Sequence, residues 1–329
     1  MEETIVKERS RRIPTGKIVI LLFTIVLLVF PHVVTMPFPR RMMILIFLYA
    51  MLGQAWNILG GFAGQVSLGQ AAFFGVGAYT STMLLVRLGL TPWLGMIAGG
   101  LVAAALSQLI GYPSFRLKGH YFVIATIVLA EIVHILFVNW RWVGGAVGIT
   151  LPLLPESLIN VQFHSSNIPY YYISLALLAS VMGVTYLITK TRPGYYFRAI
   201  KDEPDAARSL GINITYYKMF AIALSAFFTG VGGAFYAQYV LYIDPDSVFS
   251  FMLSVLIMLI PVLGGIGTLW GPVLGAFILI PLSEFTRVYL SGSGGALDLV
   301  VYGALIMLVA IFEPRGIWAL GERLLGGKK

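Results

Sequence analysis

Glu131 and His134 stand three residues apart in the apolar run HYFVIATIVLAEIVHILFVN, residues 120–139. On a helix that spacing puts both side chains on one face. Eleven residues in, at 1.5 Å per residue, the carboxylate lies about 16 Å deep, where an ionisable group is costly and must face a bundle interior. The pair is either a site for a coupling cation or a substrate ammonium, or a structural Glu–His or Glu–backbone pair. A second polar set, Gln54, Asn57, Gln65, Ser67 and Gln70, is strung through the glycine-rich stretch NILGGFAGQVSLGQ and the turn before it. Amides and hydroxyls are too polar to face hydrocarbon. Among glycines they line a path for a small polar solute, or only bond helix to helix. Nothing points to catalysis. Histidines 32, 120, 134 and 164 lack metal-site spacing, cysteine is absent, and no nucleophile converges with a base. The phosphate-cradling pattern G-x-x-x-x-G-K-[ST] does not occur either. The expectation is a chain with no catalytic residue, no metal and no bound cofactor, which must borrow any energy it uses.

The elements that position these groups are membrane spans. A mean hydropathy of +0.88, 58% hydrophobic residues and 11% charged residues lie well outside the soluble norm. The net charge of +8 fits basic loops against an anionic leaflet. A basic tail interleaved with aromatics is missing, so no nucleic-acid partner is expected. At about 20 apolar residues per span, the pattern predicts an all-α integral membrane protein of about ten transmembrane helices. They fall near 18–30, 42–60, 65–87, 92–112, 120–139, 169–189, 218–241, 249–265, 271–287 and 297–313. Some are broken or re-entrant at glycine-rich segments, and Gly264–Gly271 is open to either reading. Residues 1–17 form a basic lead, kept because no small-residue cleavage site follows. Residues 18–313 form the transmembrane domain and 314–329 a tail. With the N-terminus inside, only Arg40, Arg41, Arg87, Arg141 and Arg287, five of the 22 basic residues, fall outside. That bias makes both termini and the long charged loop cytoplasmic.

The charged loop, 190–217 within that domain, is the most polar stretch of the chain. Lys190, Arg192, Arg198, Lys201, Asp202, Glu203, Asp205 and Arg208 crowd into it. Glu203-Pro204 reads as a helix start, capped by Asp202 or Glu203 with proline in the first turn. Ala206, Ala207 and Leu210 give it a small apolar face, and Gly211 supplies a left-handed stop. A second short helix is expected around Phe197–Lys201. Two amphipathic helices on the inner side suit either a docking element or a solvated connection.

Proline and paired glycines recur in PVLGGIGTLWGP, residues 261–272, where a broken helix requires a cavity lining or a protein-buried backbone. Together with NILGGFAGQVSLGQAAFFGVGAY (57–79), AEIV (130–133), RAIKDEPDAARSLGIN (198–213) and GGIGTLWGPVLGA (264–276), this stretch resembles the branched-chain amino acid ABC-transporter permeases, the LivM type in particular. The resemblance runs through the chain after residue 40. One departure is Val143-Gly144-Gly145-Ala146-Val147-Gly148, where the family commonly has T-G-G-x-x-G.

The resemblance implies a non-catalytic membrane subunit of an ATP-driven importer in a bacterial cytoplasmic (inner) membrane, moving leucine, isoleucine or valine. Its implied partners are a homologous LivH-type permease in a heterodimer, two LivG/LivF-type ATPases that hold ATP and magnesium, a periplasmic amino-acid-binding protein and the lipid bilayer. It places ATPase coupling on Arg198, Ala199, Ile200, Asp202, Glu203, Ala206, Ala207, Leu210, Gly211 and Ile212. The translocation path is expected at Gln54, Asn57, Gln65, Ser67, Gln70, Glu131, Gly264 and Gly265. The related urea permeases share most of these motifs, so urea or another small amide is the alternative cargo. A different class of reading is a secondary transporter coupled to ions through Glu131.

Overall fold

A computed structural model of the protein describes residues 26–117, 119–290, 303 and 316–318. The expected lead 1–17, most of the first span, nearly all of the last span and nearly all of the tail lie outside the described residues. Seven described helices are long and apolar enough to cross a membrane. This is an all-α membrane protein whose β structure, among the described residues, is two short paired strands and an isolated bridge. After α1 (residues 26–33) come α2 Pro37–Asn57, α3 Gln70–Leu88, α4 Pro92–Ser114, α5 His120–Asn139 and α6 Ile168–Lys190. Two short helices follow, α7 Arg192–Asp202 and α8 Pro204–Ser209. The chain then continues through α9 Ile214–Val240, α10 Pro245–Val248, α11 Phe251–Gly264 and α12 Gly271–Leu290. The ten-span expectation therefore meets seven spanning helices plus α12, whose apolar part, Gly271–Thr286, is shorter.

Boundaries moved where glycine intervened. The helix expected from residue 65 begins at Gln70, because Gly64 turns left-handed (φ +70°) and 63–69 run as irregular chain. In exchange α2 is longer than 42–60: proline opens it at residue 37, and a π-turn, Ile58–Phe62, prolongs it at its other end. Between α11 and α12 the chain is open over 265–270, yet the helix ends touch. A Cβ on Gly264 would collide with the Gly271 carbonyl, and one on Gly275 with that of Ile260.

Packing follows the small residues. Gly77, Gly99 and Gly230 let α3, α4 and α9 meet backbone to backbone, since a Cβ on Gly99 would lie 2.7 Å from the Gly77 carbonyl oxygen. In lipid, where apolar burial gives no gain, such close approach is what holds helices together. α2 is buried almost all round from Ile44 onward and forms the centre. α5 is the opposite case, burying only the stripe Phe122, Thr126, Ala130 and Val133.

Loops gather at two ends. One holds 57–69, 190–214 and 265–270. The other holds 140–167, where the VGGAVG segment forms two 3-10 turns with Gly144, Gly145 and Gly148 at positive φ. Those turns bring β1 Ile149–Thr150 against β2 Tyr242–Ile243, antiparallel, with Ile149 opposite Ile243. In the same loop Glu156 accepts hydrogen bonds from the Ser165 hydroxyl (2.8 Å) and the Ser165 and His164 amides (2.6 and 2.7 Å). The Ser165 bonds, then His164, hold its carboxyl below the usual range. A carboxyl lowered on folding lends stability above its unfolded pKa that is lost as pH falls through the folded one. Protection of the Ser165 amide, its exchange rate taken relative to the intrinsic rate at each pH, is therefore expected to be high at neutral pH and to fall on acidification below the ordinary glutamate range. In Glu156→Gln that protection should be low throughout, and identical pH profiles for the two proteins would contradict the assignment.

Candidate coupling element and transport path

The charged loop folds as two helices, as its spacing implies. α7 buries Gly194, Phe197 and Ile200, a one-sided stripe, and leaves Tyr195 and Arg198 outside. Gly194 presses against the Ile188 carbonyl, which fixes the α6–α7 corner. α8 opens with Pro204 after Glu203 in the capping position, although no side chain caps it. Its end is a Schellman motif: Gly211 (φ +82°) donates to the Arg208 carbonyl (2.9 Å) and Ile212 to that of Ala207 (3.1 Å). A miniature core of Ile200, Ala207 and Ile214 is backed by Ala199, Ile212 and Tyr217.

The expected apolar face of Ala206, Ala207 and Leu210 is corrected by this geometry. Only Ala207 points inward. Ala207 alone packs with Ile200 and Ile214; Leu210, at the C-cap, still donates its N–H to the Ala206 carbonyl (3.2 Å) but stands 81% exposed, with Ala206 exposed as well. Arg198, Asp202, Glu203, Ala206, Leu210 and Gly211 thus share an outer surface, while Ala199, Ile200, Ala207 and Ile212 hold it in shape.

The expected path residues divide into three places. At the end occupied by α7, Asn57 spans two partners: its amide donates to the Thr268 carbonyl (2.8 Å) and its Oδ1 accepts from the Gly267 N–H (2.8 Å). Gly264 and Gly265 lie buried beside that loop. Gln65 is half-exposed, its amide on the Ala63 carbonyl (3.4 Å). Ser67 is buried and accepts from the Gly69 N–H, while its carbonyl takes the Trp56 indole N–H at 2.7 Å. In the middle of the bundle, Gln70 clasps α3 to α9, donating to Ser225 (3.2 Å) and accepting from Thr229 (3.0 Å). Gln54 is fully buried, and its amide has no protein partner among the described residues.

Glu131 is in the third place, apart from both. It meets His134 as its spacing implies, with Nδ1 to Oε1 at 3.3 Å. It does not face the bundle of its own chain, however: its side chain is 53% exposed on the open face of α5. The His134 Nε2 reaches Asp246 on α10 (3.0 Å), so two carboxylates flank the imidazole. Sequence reasoning missed Asp246, Thr268 and Lys201. Asp246 and Thr268 carry no local signal. Lys201 sits inside the RAIKDEPD motif, where its charge reads as one of many.

Comparison with known proteins agrees with this architecture. Residues 39–310 match the family model described as the branched-chain amino acid transport system / permease component. The high-affinity branched-chain amino acid transport system permease protein LivM of Salmonella typhimurium is 30% identical over 82% of this chain and 67% of its own length. The nucleoside ABC transporter permease protein NupC of Lactococcus lactis is 28% identical over 53% of this chain and 59% of its length. LivH of Escherichia coli is 25% identical over 82% and 90%. With a family model spanning residues 39–310 and a relative 30% identical over 82% of this chain's length, the chain belongs to the branched-chain amino acid transport system permease family.

Proposed function

We propose that this permease is the LivM-type half of an ATP-driven importer for branched-chain amino acids in a bacterial inner membrane. A LivH-type permease completes the membrane pair, and two LivG/LivF-type ATPases bind ATP and magnesium below it. A periplasmic binding protein delivers the cargo. The observation that carries this reading is the exposed, internally cored two-helix element on an otherwise apolar bundle. It is built to be pushed from outside the chain, with no nucleotide-binding pattern of its own. Alternating access then turns on the spans rocking around a path while the ATPases close and open. The open face of α5 suits the permease partner. A carboxylate half exposed among Val128, Ile132 and Ile135 is too costly to face hydrocarbon and needs protein or water opposite.

Reconstitution of the whole complex tests this. Leucine uptake should require ATP and binding protein, stop with vanadate and survive a protonophore. Uptake by this chain alone, abolished by the protonophore, would overturn it. The flanked imidazole of His134 favours a second, ion-coupled reading. Under that reading Glu131→Gln should abolish uptake; under the ATP-driven one its dependence on ATP stays intact. Competition by nucleosides or urea against leucine measures the cargo class.

A further inference from the structure

The end of α2 is an unfinished helix. After the π-turn, Ala63 donates to the Ile58 carbonyl (3.3 Å) and Gln65 to that of Leu59 (3.0 Å). Gly64 then turns left-handed and the chain leaves. The carbonyls of a last turn lack partners of their own and carry the negative end of the helix dipole. At Gly61 the missing donor comes from 140 residues away: Lys201 Nζ bonds the Gly61 carbonyl oxygen at 2.8 Å. Its stem lies on Gly64, where a Cβ would come within 2.9 Å of Lys201 Cγ. Although Asp202 and Glu203 follow directly in sequence, the ammonium is given to a main-chain carbonyl.

Lys201 is in the last turn of α7, the docking element, and Gly61 is one turn past Asn57, which grips the α11–α12 loop through Gly267 and Thr268. The end of α7, the end of α2 and the α11–α12 loop therefore meet within one side-chain length. We propose that Lys201 is a positioning residue, the strut that carries movement of the docking element into the Gly61–Gly267 junction. This rests on the ATP-driven reading above. A charge-assisted bond is directional and stronger than a neutral one. The lysine therefore moves the end of α2 with α7 instead of sliding over it. Asn57 passes the displacement to the glycine loop.

The test uses the assembled transporter in proteoliposomes, reading leucine carried per ATP hydrolysed. For Lys201→Met, ATPase retention and hydrolysis should stay within about twofold while the ratio falls about tenfold, the size of an ordinary coupling term. Lys201→Arg, which keeps a cationic donor, should recover most of the ratio. An unchanged ratio in Lys201→Met, or hydrolysis and uptake falling in proportion, overturns the strut. Amide exchange of the purified chain supplies a readout independent of transport. Residues 61–65 should exchange faster in Lys201→Met than in the wild type, and equal rates also overturn it. Failure of the wild-type complex itself to carry leucine sinks the transport reading, and the strut with it, in a separate arm.

Discussion

Under the ATP-driven assembly proposed above, replacing Leu210 with aspartate is expected to strip a partner ATPase from this permease while leaving the permease itself folded. Leu210 stands 81% exposed beyond the end of α8 and takes no part in the miniature core of Ile200, Ala207 and Ile214. Its neighbours Gly211 and Ile212 close the helix through backbone bonds that a change at 210 does not touch. A large apolar group held out on a rigid turn is the kind of anchor that dominates an interface. Losing one costs about 2 kcal/mol or more, some thirtyfold in affinity, and a buried unpaired carboxylate adds to that. Co-purification of the ATPase and ATP-driven uptake should both collapse, with the melting temperature of the isolated chain unchanged. Undiminished ATPase retention in this variant would remove the docking assignment. Ala206→Asp on the same surface should act in the same direction, whereas Ala207→Asp should unfold the element, because that side chain is buried.

The second large effect concerns Asn57. Exchange for leucine leaves the Gly267 N–H and the Thr268 carbonyl without their bonds at 2.8 Å. An orphaned buried polar group costs about 1–3 kcal/mol, so the pair amounts to about 2–4 kcal/mol once partial water access at this loop is allowed for. The measurable outcome is a clear drop in melting temperature in detergent. It should be accompanied by faster amide exchange across 265–270, since Asn57 is what ties that loop to α2. Gln70→Leu provides a contrast within the same polar set. It breaks the clasp on Ser225 and Thr229 between α3 and α9, so its exchange signature belongs in those helices and not in the glycine loop. If both variants loosened the same segment, the division of the polar residues into separate places would be wrong.

Periodicity and punctuation made much of this architecture legible. Proline at residues 92 and 204 and glycine at 211 start and stop helices by backbone chemistry alone, and the helices begin or end there as expected, whereas α2 opens at Pro37, five residues before the expected 42. The pairing of Glu131 with His134 was likewise readable, because neighbours at i+3 on one helix need no tertiary information. Leu210 shows the limit of the same reasoning. Spacing groups it with Ala206 and Ala207 on one small apolar face, but the fold buries Ala207 alone and leaves the other two exposed. Glu131 shows another limit. The cost of a charge in hydrocarbon says only that it must find protein or water, and the fold puts that surface outside this chain's own bundle.

From the chain of residues alone came the class of the molecule, the apolar spans, and the charged two-helix insert with its left-handed stop. All of these follow from composition and short-range backbone preference. Only the folded arrangement decided which polar groups meet: Lys201 with Gly61, Asn57 with Gly267 and Thr268, His134 with Asp246. Those partners lie more than a hundred residues apart. A hydrogen bond needs groups within about 3 Å, and helix packing through bare glycine backbones, not local sequence, sets that distance.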